Sequence, residues 1–251
     1  MKILSFFAHP DDETVFLGGT FAYLAAKDAE IHFTCATRGE GGEMGDPPIC
    51  TRDELGAVRE KEITCAVERF GGASLQFLDF IDPPVGPDGE LYSFTDENDL
   101  LVDRLRNVIR SINPQIIISH GPGGEYGHPA HIQSHQGLMQ ALNKEPEINP
   151  VIYSPSWLNR ETGEYFPTPD FMVDITPWLD VKIDAIQCYR SQHDMFLRHG
   201  TARMDRQVTI PEMIRAKETL SRVFPETQDT PKDPLAELLA GISIPIQATY
   251  Y

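Results

Sequence analysis

The chain has 251 residues and carries 21 Lys and Arg against 38 Asp and Glu, a formal net charge of −17. That length suits one α/β-sized domain with a small appendage, and 41% hydrophobic with 24% charged residues is a globular rather than a disordered composition. The negative excess disfavours nucleic acid and anionic membranes as partners. No apolar stretch approaches the roughly 20 residues of a bilayer span and the start shows no signal-peptide pattern, so the expected location is the cytoplasm.

The hydrophobic pattern alternates strand and helix from the first residues. Lys2 to Phe7 reads as a strand, and Val15, Phe16, Gly19, Tyr23 and Leu24 mark the helix after it. A strand over Glu30 to Thr37, a Gly-rich loop and a helix over Arg52 to Phe70 follow. Further on come a strand at Ser74 to Leu78, a helix at Glu97 to Ser111, a strand at Pro114 to Ser119 and a helix at Pro129 to Leu142. Val151 to Ser154 and Phe171 to Ile175 read as strands, and Pro177 to Tyr189 as a helix. Such alternation predicts an α/β fold, a Rossmann-like, mostly parallel sheet with helices on both faces. In sheets of this kind ligands bind at the carboxyl ends of the strands.

The expected domain covers residues 1–200, with a C-terminal extension at 201–251 packing on it or on a neighbouring subunit of a homo-oligomer. Within that extension the pattern weakens: Pro225 to Pro234 reads as a linker or surface arm, and Ile242 to Tyr251 is apolar enough to pack down. Four cysteines, Cys35, Cys50, Cys65 and Cys188, form no Cys-x-x-Cys pair and are expected as reduced thiols.

Two segments carry chemistry. In Ala8-His9-Pro10-Asp11-Asp12-Glu13 a strand ends on a histidine and three consecutive acids. Helix capping accounts for one or two acids in a first turn. It calls for neither His9 nor three mutually repelling carboxylates, a cluster that a cation relieves. A His and an Asp three residues apart across a tight turn can share a metal, leaving a carboxylate free for proton transfer. The second segment, Gly121 to His131, is Gly-rich and ends in Gly127-His128-Pro129-Ala130-His131, with His135 one turn further. Its histidines share a helix face if the helix starts near Pro129; solvated imidazoles are the competing explanation. No Gly-Lys-Ser/Thr follows these glycines, which excludes a Walker-type phosphate loop.

These residues resemble the PIG-L/LmbE-like zinc-dependent N-acetylglucosaminyl deacetylases, a family that includes mycothiol- and bacillithiol-pathway enzymes. The family's Ala-His-Pro-Asp-Asp-Glu segment is matched in full at Ala8 to Glu13, and its Gly-His-Pro-Asp-His segment at 127–131 except for Ala130. Thr37 to Gly42, Arg59 to Glu62, Asp79 to Asp82 and Tyr189 to Gln192 add weaker similarity in the same order. The resemblance implies zinc on His9, Asp12 and His131, with another divalent metal as an alternative, and Asp11 as general base for the attacking water. It implies a protonated His128 that stabilises the oxyanion or protonates the leaving amine, and Tyr126 near the scissile carbonyl. Arg59 and Asp82 would orient substrate, Arg59 through an anionic group and Asp82 through sugar hydroxyls; an Arg59–Glu62 pair and a loop turn are the plainer alternatives.

The implied activity is removal of acetyl from an N-acetylated amino sugar or its conjugate, a small-molecule substrate with no nucleic acid or membrane partner. An amidase acting on a thiol conjugate or other N-acyl compound, and a non-catalytic α/β domain holding a structural cation, are the competing readings. The family acid between the histidines, which by resemblance raises the pKa of His128, is Ala130 here; Glu125 and Asp194 are the candidate replacements.

Overall fold

Ile3, Leu4, Phe6 and Phe7 make the first strand apolar on both faces, as a strand in the middle of a sheet must be. The computed structural model describes residues 1–226, 229 and 231–246. In chain order it begins β1 (Lys2–Phe7), α1 (Asp12–Ala25), β2 (Glu30–Thr37), α2 (Leu55–Phe70) and β3 (Ser74–Phe80). Next come α3 (Asn98–Ile112), β4 (Ile116–Ser119), α4 (Gly124–Gly127), α5 (Pro129–Asn143) and β5 (Val151–Pro155). The remainder comprises β6 (Trp157–Leu158), β7 (Tyr165–Phe166), β8 (Phe171–Asp174), α6 (Leu179–Ile186), α7 (His193–Met204), α8 (Ile210–Met213), β9 (Lys217–Phe224), α9 (Pro234–Leu239) and β10 (Ser243–Ile244).

The main sheet has eight strands in the order β10-β8-β9-β5-β4-β1-β2-β3. Strands β3, β2, β1, β4 and β5 pair in parallel, and β9, β8 and β10 continue the sheet antiparallel. The expected mostly parallel α/β sheet is therefore present. Alternation along β1 divides the core: Ile3 and Phe7 pack with α1, α2 and α6, while Leu4, Phe6 and Ala8 pack with α3 and α5. The crossovers thus run outward in opposite directions from the β1–β4 pair. At that switch point the loops after β1 and β4 part and leave a crevice.

Among the elements that escaped the sequence pattern, two show why. Strand β9 lies between β5 and β8 although its residues, Lys-Glu-Thr-Leu-Ser-Arg-Val-Phe, do not alternate cleanly. The irregularity comes from Glu218, a carboxylate buried on an ion pair with Lys182 at 2.6 Å. Helix α7 buries only Phe196 and Gly200, too little for an apolar stripe.

The thiol expectation needs a correction: Cys65 and Cys188 form a disulfide with Cα atoms 5.9 Å apart, and Cys35 and Cys50 are free. Packing of α2 against α6 brings together two cysteines 123 residues apart, a proximity that spacing does not encode. Of the expected linker Pro225 to Pro234, positions 227, 228 and 230 lie outside the described residues, as does the chain end from residue 247. Asp233 caps α9 by accepting the Leu235 and Ala236 N–H groups, and it also accepts the Tyr153 hydroxyl at 2.7 Å. Among the described residues no helix is long and apolar enough to cross a membrane.

Candidate active site

Both sequence motifs open into the crevice between β1 and β4. After Phe7 the chain turns sharply, and Asp11 takes φ 107°, ψ −28°, a conformation an L-residue holds only under constraint. Its carbonyl accepts the Thr14 and Val15 N–H groups that start α1, while its carboxylate faces Arg59 Nη2 at 3.0 Å. Arg59 is 3% exposed and also donates to the carbonyls of Gly39 and Pro10. Gly39, at φ 69°, is required here because a Cβ would stand 2.1 Å from the Arg59 guanidinium. The expected alternative partner, Glu62, instead accepts the backbone and hydroxyl of Ser191 at 2.8 and 2.7 Å.

Asp12 is the hub of the site. Its carboxylate lies 3.3 Å from His9 Nδ1, 3.4 Å from His131 Nε2 and 3.3 Å from His120 Nε2. Asp12 thus stands beside both other expected ligands, His9 and His131, and beside His120, which sequence reasoning missed although it directly follows the last residue of β4; the trios whose ligand atoms lie close enough to share one ion are Asp12, His120 and His131, and His9, His128 and His131. His120 Nε2 accepts the Ala8 N–H at 3.0 Å, so its lone pair is used. By contrast His131 Nε2 is buried without a hydrogen-bond partner. The other nitrogens of both rings, Nδ1 of His120 and of His131, donate to one oxygen of Glu125 at 2.8 Å each. These two imidazoles hold the Glu125 carboxyl down at about 2 against the opposing effect of burial.

A metal-binding histidine characteristically gives its second N–H to a carboxylate. His131 does so through Glu125, and His9 meets Asp82 through Nε2 at 3.2 Å. Burial disfavours a charged His9, yet Asp82 and Asp12 outweigh it and raise the ring to about 10. The site thus stabilises positive charge, and the vacant lone pair of His131 beside Asp12 and His9 Nδ1 fits a divalent cation. Asp82 keeps its place because Glu40 accepts its N–H at 3.1 Å, and its side chain also lines the cavity where sugar hydroxyls were expected to meet it.

His128 differs from expectation. Burial and the neighbouring His131 and His9 rings push it down to about 3, opposite in direction to the raised pKa that the resemblance implies. Its Nδ1 caps α5 by accepting the Ala130 N–H at 3.2 Å, which leaves the proton on Nε2. Neither candidate replacement acid serves it: Glu125 is engaged by His120 and His131, and Asp194 accepts the Asp46 N–H at 2.6 Å. Tyr126, 52% exposed, lines the same cavity with its ring 5.4 Å from that of His131 and 5.5 Å from that of Trp157. His135 stands apart from the cluster and bonds the His120 carbonyl at 3.0 Å. The weaker motif Tyr189 to Gln192 braces the site, the Tyr189 hydroxyl bonding Glu13 and Ser191 bonding Glu62.

Asp11 bonds no histidine and, unlike Glu13, which is taken up by Thr14 and Tyr189, it lines the cavity. Burial raises it to about 8, with the Arg59 charge opposing. It faces a cavity of about 950 Å³ that His9, Asp12, Asp82, Tyr126 and His128 also line. A cluster that takes a cation, with a separate carboxylate kept next to it and open to substrate, defines the class of metal-dependent hydrolases. The chain belongs to the PIG-L family: residues 4–142 match the family model described as GlcNAc-PI de-N-acetylase.

It is 30% identical over 198 residues to the probable N-acetyl-alpha-D-glucosaminyl L-malate deacetylase 2 of Bacillus subtilis, covering 78% of this chain and 85% of that one. Among solved structures, N,N'-diacetylchitobiose deacetylase from Pyrococcus horikoshii superposes with a TM-score of 0.62 at 20% identity, over 88% of this chain and 82% of that one. The 4-carboxy-2-hydroxymuconate hydratase GalB from Pseudomonas putida gives 0.62 at 24% identity, over 92% and 99%. At that level of identity the two structures share the fold alone, and one fold hosts unlike reactions.

Proposed function

We propose that the protein is a zinc-dependent de-N-acetylase that hydrolyses the acetamide of an N-acetylglucosamine-type sugar carried in a small conjugate. The observation that carries this reading is the division at the β1–β4 crevice, where the orphaned His131 Nε2 meets Asp12 and His9 while Asp11 is tied to Arg59. His9, Asp12 and His131 hold the metal. When bound, a divalent cation acidifies water and polarises the amide oxygen.

Asp11 takes the proton of the attacking water, and Arg59 sets the carboxylate's direction. His128 donates its Nε2–H to the oxygen that gains charge as the carbonyl carbon becomes tetrahedral. The C–N bond then breaks, the proton passes from Asp11 to the amine nitrogen, and acetic acid leaves, giving its remaining proton to solvent as acetate. Tyr126 and Asp82 border the sugar.

Acetate release from a panel of N-acetylated amino sugars tests the reading, with zinc, with chelator and for Asp11→Asn. Turnover should require zinc, and Asp11→Asn should keep zinc yet lose about 10²- to 10⁴-fold in kcat. Zinc retained by both proteins with no acetate from either would leave a non-catalytic cation-holding domain. Release only from N-acyl compounds without a sugar would leave a broader amidase.

A further inference from the structure

Asp11 holds a left-handed backbone, and a residue keeps such a conformation only while its surroundings over-determine it. Two grips do this here, and they come from different parts of the chain. Arg59 of α2 donates to the Asp11 carboxylate at 3.0 Å. On the other side the Asp11 N–H donates to Glu13 at 3.2 Å, and Glu13 in turn accepts the hydroxyls of Thr14 and Tyr189. Tyr189 is fully buried and lies 176 residues from Glu13 along the chain.

The Cys65–Cys188 disulfide joins the two grips. Cys65 shares α2 with Arg59, and Cys188 immediately precedes Tyr189. Between them Glu62 of α2 accepts the backbone N–H and hydroxyl of Ser191, so the same two segments also meet through hydrogen bonds. One short covalent path therefore runs from the bond to the guanidinium at the Asp11 carboxylate, and another to the phenol behind the Asp11 N–H. Both cysteines are half-buried. Cys65 opens on a depression of about 400 Å³ formed with Ala57, Glu60, Lys61, Thr64 and Glu68, none of which lines the large cavity. A reductant meets the sulfur outside the active site.

Building on the deacetylase reading, we propose that the Cys65–Cys188 disulfide is a positioning device for Asp11, and that its reduction slows the hydrolytic step. A dithiol opens the bond by exchange. One thiolate attacks a protein sulfur to give a mixed disulfide, the second thiol displaces it, and the protein keeps two thiols while the reductant leaves as a disulfide. The cut removes no member of the His–Asp cluster and no cavity residue. It frees the Tyr189 segment to shift against α2, and a misplacement of about 1 Å at a reacting group costs up to about 10²-fold in rate.

The test measures kcat and KM for acetate release by zinc-loaded enzyme, oxidised and after reduction with tris(2-carboxyethyl)phosphine. This phosphine takes up the oxygen of water as it opens the bond and brings no thiol to compete for zinc. Reduction should lower kcat about 5- to 50-fold while KM stays within about twofold, the pattern of a group needed only in the transition state. Circular dichroism fixes conditions in which both forms are folded. The double variant Cys65→Ser, Cys188→Ser should show the reduced enzyme's kcat with and without phosphine, and reoxidation should restore the wild type. An unchanged kcat, a fall no larger than the fraction unfolded, or an equal fall on adding phosphine to the double variant overturns the proposal.

Hydrogen–deuterium exchange separates this proposal from the one it rests on, because it needs no turnover. Reduction should speed exchange in peptides covering residues 9–16 and 187–193 and leave those of β1 and β4 unchanged. If no compound releases acetate, the deacetylase reading falls and this measurement alone decides. Exchange unchanged at 9–16, or raised along the whole chain, overturns the positioning role.

Discussion

Asp11 concentrates the chemistry at the scale of single residues. Its φ of 107° costs about 1–3 kcal/mol, and Glu125, at φ 57° and ψ −83°, is a second strained acid in the same site. Both are held by charge-assisted bonds, Asp11 by Arg59 and Glu125 by two histidines. A general base must be ionised, so in the proposed role of Asp11 activity should rise with pH through its pKa. Burial raises that pKa and Arg59 lowers it. Arg59→Met should therefore move the acid limb of the kcat/KM profile to higher pH by about 1–2 units, given the usual effect of one adjacent opposite charge. Arg59→Lys should move it less, and an unshifted limb in Arg59→Met would remove Arg59 from the positioning of Asp11. For the proposed zinc site, Glu125→Gln should weaken zinc binding about 10- to 100-fold, because it removes the carboxylate that orients the His131 ring. Competition with a chromophoric chelator measures this, and unchanged affinity would place the metal elsewhere.

Among the elements, α1 shows how the tail supports the site. The helix is interrupted at Leu17 (φ −138°), and the buried N–H groups of Gly19 and Thr20 donate to the Glu218 carboxylate of β9 at 2.9 and 2.7 Å. Glu218 acts as a cap supplied from 198 residues away, and it also takes Lys182 of α6, whose Nζ reaches the Val15 carbonyl at 3.0 Å. Three elements thus meet at one buried ion pair behind the turn that carries Asp11 and Asp12. Glu218→Ala should cost about 3–5 kcal/mol, since it strands a buried lysine. Chemical denaturation reads this as a lower midpoint, and adding Lys182→Met should recover part of the loss. A cost below about 1 kcal/mol, the range of an exposed pair, would show that water reaches the lysine.

For the whole molecule, the sheet and the disulfide bind distant parts of the chain together. Strand β9 joins β5 to β8, so the chain beyond residue 200 completes the sheet as well as contributing two arginines to the cavity. The Cys65–Cys188 bond ties α2 to the segment bearing Tyr189 and Ser191, which brace Glu13 and Glu62. Reduction should lower stability by about 2–4 kcal/mol, mainly by freeing the unfolded chain. Denaturant midpoints measured with and without reductant test this, and Cys188→Ser should abolish the difference. Identical midpoints would mean that the bond does not constrain the unfolded chain in solution.

What could be read from sequence was what neighbours along the chain encode. Strand and helix periods located β1 to β5 and the helices between them, and one turn sufficed to join His9, Asp11 and Asp12 as it did His128 and His131. Periodicity failed where burial was polar, at Glu218 in β9, and where it was sparse, in α7. Only the tertiary structure decided that β1 and β4 are neighbours, that Glu125 serves His131 and not His128, and that Arg59 faces Asp11. The same holds for Cys65 with Cys188. Local spacing follows from the geometry of one element. Contacts across a hundred residues depend on strand order and packing, which no short window of sequence contains.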